Sequence, residues 1–476
     1  MDNKNSSGNK VIKAGAGYII GNYLLKGITF LSAPIFSRLM TTSDFGDFSN
    51  YTSYEAIFYI IVGLALHSSL NNAKYKYGEK FNEYISSLVL LIILSTLGWL
   101  FIGNIFFPFY KDAFDFNRLV LNILIIHCMG SSLFQFYNIY ASLSYSFQNY
   151  LKLTSINAIS NMGLSIILML TVLKSDVLFA RIIGMALPII LIGCYIILFF
   201  FKLGKPVINF DYWKYGTIYS LPIIPHGISQ IILSSFDRIM IKKMVNSDAA
   251  GIYSFSYVIY SLFNVTANSL QNVWKPWIYE KMNAKDYATI KKQSNVYALG
   301  MALFTILIIL VSPEIIRILG DKAYWDSADC VIPVILGGYF AFMYTLPSQI
   351  EYFYEKTKFI AIGTVSAAVL NIVLNYIFIS RFGYIAAAYT TLVTYFLYFS
   401  FHFFLAKRIH GSSLFSFKGL YGVSLVTVAI GLGTILIKDL LIVRWIMALI
   451  VGCLSLYWSE KHFLLLTKVK AKFFIK

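Results

Sequence analysis

Long apolar runs alternate with short polar breaks along the whole chain, and each run has the length of a bilayer crossing. The hydrocarbon layer is about 30 Å thick, and a helix rising about 1.5 Å per residue needs roughly 20 apolar residues to span it. By that measure the sequence predicts fourteen spans, over 12–38, 48–70, 84–108, 119–142, 152–173, 179–201, 215–237, 250–273, 294–316, 331–350, 359–380, 384–406, 416–437 and 441–458. The runs are continuous and do not alternate with period two, so they predict helices and not barrel strands. The last two spans are the least sharply bounded, because Lys438, Asp439 and Arg444 crowd the gap between them. The first run outlasts the apolar core of a signal peptide, carries Lys26 in its interior and leads straight into further spans. It is expected to be retained.

Composition agrees with the pattern. Of 476 residues 58% are hydrophobic and 13% charged, against about 45–50% apolar and about 25% charged in soluble domains. The expected fold is an all-α polytopic membrane protein. The longest breaks, 274–293 and 317–330, are too short for a catalytic domain. This weighs against a membrane glycosyltransferase, polymerase or ligase.

The net charge of +17 would suggest nucleic acid in a soluble protein. Here nearly all of the basic excess falls on the N-terminal tail, the even-numbered connections and the C-terminal tail. That is the positive-inside pattern, with both termini cytoplasmic, plus attraction to anionic lipid heads. No nucleic-acid partner is expected. Cys128, Cys194, Cys330 and Cys453 are scattered at spacings that suit neither a metal nor a disulfide framework.

The chain repeats itself. Phe36-Ser-Arg38-Leu-Met40, followed by Ser43-Asp44 and Gly46, matches Phe236-Asp-Arg238-Ile-Met240, followed by Ser247-Asp248 and Gly251. Six spans separate the copies, so the halves have the same orientation, as in transporters built from parallel repeats. The expected organisation is an N-lobe at 1–201 (spans 1–6), a cytoplasmic connector at 202–214 and a C-lobe at 215–406 (spans 7–12). Spans 13 and 14 with a basic cytoplasmic tail follow at 407–476.

Enzyme motifs are absent from the sequence. Gly15-Ala-Gly17 and Gly431-Leu-Gly433 lie in apolar helices with no Lys-Ser/Thr downstream, and no metal-ligand spacing or nucleophile elbow occurs. No cofactor, metal or enzymatic activity is expected. The chemistry instead lies in charges within spans, each costing about 2.5–3.5 kcal/mol at a helix centre unless it faces protein or water. Lys26 sits near the middle of span 1, about 18 Å by helical rise from Arg38. It is either a cationic contact for an anionic substrate in a cavity or the buried partner of Glu55 on span 2. Glu55 is equally readable as an ion-coupling site or an interfacial residue. Arg38 and Arg238 end spans 1 and 7, where guanidinium geometry suits phosphate oxygens; a helix-end arginine reaching the interface is the alternative. Asp237 adjoins Arg238. Span 7 reads Ser220-Leu-Pro222-Ile-Ile-Pro225-His226-Gly227, a bending helix with His226 as a lining candidate. Asn264, Asn268, Gln271 and Asn272 form a polar face on span 8, for hydroxyl-rich groups or for interhelical bonding. His67, His127 and His402 read as helix-packing residues. Gly17–Gly21 reads as a close-packing motif, and Asp326 and Asp329 as solvated loop acids.

Two local patterns carry a family resemblance. One is span 1 leading into Ser43-Asp44-Phe45-Gly46. The other is Asp237-Arg238 followed by Gly251-Ile-Tyr253 and Trp274-Lys275-Pro276. With the span layout, the chain resembles the polysaccharide transporter branch of the multidrug/oligosaccharidyl-lipid/polysaccharide exporter superfamily, nearest to the O-antigen or capsule repeat-unit flippases (Wzx-type). The resemblance implies two six-helix lobes in a V around a central cationic cavity, with Lys26, Arg38 and Arg238 as cavity residues. It implies an undecaprenyl-pyrophosphate-linked oligosaccharide as substrate, moved to the outer leaflet by alternating access in a bacterial cytoplasmic membrane. Membrane lipids, a polysaccharide polymerase and chain-length machinery are the implied partners. A cation-coupled multidrug exporter, a lipid II flippase and a glycan polymerase or ligase are the alternatives. Acidic cavity residues would mark the first, arginines in the first two spans the second, and a long outer loop the third.

Overall fold

The computed structural model describes Gly27, residues 30–144 and residues 146–463. Most of the first expected span, with Gly17–Gly21 and Lys26, lies outside the described residues. Those described form helices and turns, with no strand among them. In chain order the α-helices are α1 (30–39), α2 (Thr42–Val62), α3 (Leu70–Tyr77), α4 (Phe81–Phe114), α5 (Arg118–Leu143) and α6 (Phe147–Leu170). Next come α7 (Val177–Gly204), α8 (Phe210–Ser220), α9 (Ile223–Ile231), α10 (Asp237–Met244), α11 (Ser247–Asn283) and α12 (Tyr287–Leu319). The last six are α13 (Ala328–Met343), α14 (Thr345–Phe353), α15 (Thr357–Phe382), α16 (Ile385–His410), α17 (Phe417–Gly433) and α18 (Leu441–Phe463).

The polar breaks in the sequence become helix caps. Side chains of Asn117, Asp176, Asn246 and Asp286 each accept the backbone N–H three residues on, and open α5, α7, α11 and α12. At the other end of a helix, Gly411 closes α16 with φ 82°, a conformation that costs glycine nothing.

Nine helical segments among the described residues are long and apolar enough to cross a membrane. The expectation of fourteen differs for identifiable reasons. Beyond the first span, α2, α11 and α16 are long helices in the expected places, but Ser, Thr, Asn and Tyr dilute their apolar content. The 215–237 run is broken as its prolines suggest: α8 ends at Ser220, the chain turns at Leu221–Pro222, and α9 follows. A π-helical turn at Ile232–Phe236 then leads into α10, which the sequence did not foretell.

Two compact units result: Asp44–Ile239 with the described residues up to Met40, and Thr41–Ser43 with the described residues from Met240 onward. The 202–214 connector therefore lies inside the first unit. The reason is packing by α8. The Trp213 indole N–H donates to the Ser87 carbonyl at 2.9 Å, Ser68 and Ser220 share a hydrogen bond of 3.1 Å, and Gly216 faces Leu66 and Leu88. Within this unit α5 and α7 cross so closely that a Cβ on Gly130 would lie 2.7 Å from the Ile189 carbonyl oxygen.

In the second unit α13 packs against α11, α12 and α16, while α17 and α18 pack on α12. Two of the charges crowding the last two spans, Arg444 and Lys438, are paired. Arg444, 3% exposed, makes two hydrogen bonds to the Glu314 carboxylate at 2.8 and 2.5 Å and one to the Leu310 carbonyl at 2.7 Å. Lys438 pairs with Asp329 at 2.8 Å. Asp329 is thus a tether between α13 and the turn before α18, not merely a solvated loop acid.

Candidate functional site

The first unit gathers cationic side chains at one end. Arg181 lies on the first turns of α7, and α6 holds it. A Cβ on the neighbouring Gly184 would lie 2.5 Å from the Ser165 Cα, so the α6 and α7 backbones touch there. That contact puts Asn161 and Ser165 within reach: Arg181 Nη1 donates to Asn161 Oδ1 at 2.6 Å and to Ser165 Oγ at 2.7 Å. The Phe36 and Phe48 rings lie 4.0 and 4.5 Å from the guanidinium carbon. Among the described residues no carboxylate pairs with Arg181, and its Nε and Nη2 groups donate to none of them. Two rings and two acceptors to Nη1 hold this guanidinium, which orients the rest for an incoming acceptor.

Arg38 and Arg238 belong to the same end. Phe36, two residues from Arg38, packs with Met40 and with Ala180, the neighbour of Arg181. Phe236 and Ile239, flanking Arg238, belong to the same apolar cluster as Ile182, the residue after Arg181. Arg38 is exposed and donates to the Pro34 carbonyl at 2.7 Å. Asp237 is 1% exposed, and its Oδ1 accepts the Arg238 backbone N–H at 3.0 Å, just after the π turn. Such turns concentrate at functional sites.

The remaining expected residues are more dispersed. Glu55 is half-buried on α2, and its backbone carbonyl accepts the Cys128 Sγ–H from α5 at 3.8 Å. Its suggested partner Lys26 lies outside the described residues. His226 is half-buried on α9, with Nδ1 buried and bonded to nothing among them. In the second unit Asn268 donates to Asn264 at 3.0 Å along the exposed face of α11, and Gln271 lies half-buried beyond. The bond runs within one helix, neither between helices nor to an enclosed surface. His127 is a packing residue, bonded to the Tyr51 hydroxyl at 2.9 Å. Arg181 was missed by sequence reasoning although a signal existed: Asn157, Asn161 and Ser165 stand at i, i+4 and i+8 on α6, one helix before the arginine.

Comparison with known proteins gives the family and the fold. The family model described as "Polysaccharide biosynthesis protein" matches residues 12–282. The chain belongs to that family. It is similar to a protein of the Lsg locus of Haemophilus influenzae, 22% identical over 379 residues that cover 76% of this chain and 90% of that protein. Among solved structures it shares the fold of a lipid II flippase, MurJ, in an inward closed conformation. There the TM-score is 0.71 at 15% identity, covering 94% of this chain and 99% of the other. An inward-facing multidrug resistance MATE family transporter of the MOP superfamily matches with a TM-score of 0.63 at 10% identity, covering 81% and 94%. The chain is a multi-pass membrane protein with the fold of that superfamily.

Proposed function

We propose that this protein flips undecaprenyl-pyrophosphate-linked oligosaccharide repeat units, of the O-antigen or capsule type, from the cytoplasmic to the outer leaflet of a bacterial cytoplasmic membrane. Its termini are cytoplasmic, and the repeats of 1–201 and 215–406 act as two lobes that alternate access. The observation that carries the reading is Arg181, an oriented guanidinium without a carboxylate partner among the described residues, at the end that also holds Arg38 and Arg238. A multidrug cation carrier needs an acidic group facing its cargo, and among the described residues none pairs with Arg181. A diphosphate needs donors held in advance, because the barrier to lipid flip is the desolvation of its charge and of the attached sugars. Lys26 adds a further cation on span 1. Asn268 and Gln271 offer amide groups to sugar hydroxyls, while Glu55, Asp237 and His226 are supporting or ion-coupling groups. The polymerase and chain-length machinery take the product on the outer side.

The test is replacement of Arg181 in the native host. Arg181→Ala is expected to cut surface polysaccharide at least tenfold, with the protein still in the membrane and lipid-linked repeat units accumulating inside. Arg181→Lys keeps the charge but loses the fork and retains a minor fraction. Full polymer display by Arg181→Ala would overturn the reading, as would normal polymer with raised drug susceptibility in a deletion strain.

A further inference from the structure

Inside the second unit two titratable side chains meet away from the protein surface. Glu351 on α14 and His402 on α16 are each 0% exposed, and Oε1 and Nδ1 lie 2.5 Å apart. The other two polar atoms, Glu351 Oε2 and His402 Nε2, are buried and bonded to nothing among the described residues. A packing histidine needs neither a carboxylate nor an orphaned nitrogen. Each orphan costs about 1–3 kcal/mol, and an apolar pair of the same size would avoid that cost.

The cage is aromatic. Tyr398, one turn before His402, stands edge-on at 4.5 Å from its ring, and Tyr344, between α13 and α14, lies 5.6 Å away. From α15 the Thr364 hydroxyl bonds the Tyr398 hydroxyl at 2.8 Å. Tyr352 follows Glu351, and from α11 Tyr279 and Lys275 approach Tyr352, the Lys275 ammonium 5.7 Å from its ring. Lys356 and Lys358 at the start of α15 are exposed. Among the described residues no second carboxylate, lysine or arginine pairs with either member.

We propose that Glu351 and His402 form a proton-binding site that exchanges one proton with water when the second unit opens there. In the loaded state the carboxylate accepts the Nδ1–H of an imidazolium, and the pair is neutral overall. The exchangeable proton is the one on Nε2. Its release breaks the Nε2–H bond, leaves the electron pair on nitrogen and hands the proton to a water molecule. The Nδ1–H stays with the carboxylate, and a net charge of −1 remains. An anion enclosed by tyrosine and phenylalanine rings is costly, so the closed site keeps its proton and release demands hydration. Proton exchange is thereby tied to a change of conformation. Resting on the flippase reading, this makes the pair the point where a proton gradient drives the cycle.

The test has two arms. Nitrogen-15 NMR of histidine side chains in the full chain in lipid nanodiscs follows His402 from pH 5 to 9, with its signal assigned by His402→Gln. The expected result is a doubly protonated His402 ring in the parent protein and a singly protonated ring in Glu351→Gln at the same pH. A neutral His402 with an unchanging spectrum in both proteins would overturn the proposal. The second arm measures surface polymer in cells carrying Glu351→Gln, His402→Gln or both. Two amides restore a neutral hydrogen-bonded pair, so the double variant is expected in the membrane at parental level with display still at least tenfold down. Display that returns in the double variant makes the pair structural and overturns the coupling. Unchanged polymer after deletion of the whole chain refutes the flippase reading alone, and the spectra still decide the proton site.

Discussion

Replacing Arg444 by methionine tests whether α18 is held by charge or by shape. The guanidinium is 3% exposed and the Glu314 side chain 18% exposed, and two hydrogen bonds join them while a third reaches the Leu310 carbonyl. Arg444→Met fills much of the space but leaves the Glu314 carboxylate without its cation. Breaking one side of a buried pair costs about 3–5 kcal/mol. Glu314 keeps some exposure, which puts the loss near the lower figure, about 3 kcal/mol. Removing both charges with Arg444→Met and Glu314→Leu is near neutral by the same reasoning, because the desolvation cost of the pair disappears with its attraction. Thermal unfolding of the purified protein in detergent, followed by tryptophan fluorescence, reads both variants. A single variant within about 0.5 kcal/mol of the parent, the range of an ordinary surface change, would refute the argument. So would a double variant as unstable as the single.

Three further outcomes follow from the same structure. Lys438→Ala removes an ion pair whose members are 45% and 43% exposed, and is expected to change stability by less than about 0.5 kcal/mol in the same unfolding assay. Gly184→Val forces a side chain into the α6 backbone at Ser165, costs about 1–3 kcal/mol of overpacking and withdraws Asn161 and Ser165 from Arg181. Its polymer display falls with that of Arg181→Ala, whereas Gly163→Ala, on α6 with open space at its Cα, leaves display unchanged. Tyr51→Phe strips the buried His127 Nδ1 of its hydroxyl partner and lowers stability by about 1–3 kcal/mol, and Tyr51→Phe with His127→Leu recovers most of it.

How much of this could be read from residues alone depends on the distance over which each feature acts. Span positions, caps and the break at Pro222 are local, since a run of apolar residues, an Asn three positions before an N–H or a proline declares its effect within one or two turns. Membership of α8 in the first unit is not local. It depends on Trp213 finding Ser87 and on Gly216 admitting Leu66 and Leu88, contacts that no periodicity encodes. The same division governs the charges. A charge inside an apolar run is visible as a cost, which is how Arg38, Arg238 and Glu55 stand out, but the group that offsets it sits a helix away. His402 looked like packing because Glu351 lies 51 positions earlier. Arg444 looked like a flaw in the last span because Glu314 lies 130 positions earlier. Arg181 drew no notice near the start of α7, where an arginine could reach the interface. What separates it from Arg444 is the partner set, a carboxylate for one and only amide, hydroxyl and rings for the other. A cation already neutralised is structure, and one held by neutral groups keeps its charge unmatched. That difference puts Arg181 at the head of the candidates, and it became visible only once α6 was laid against α7.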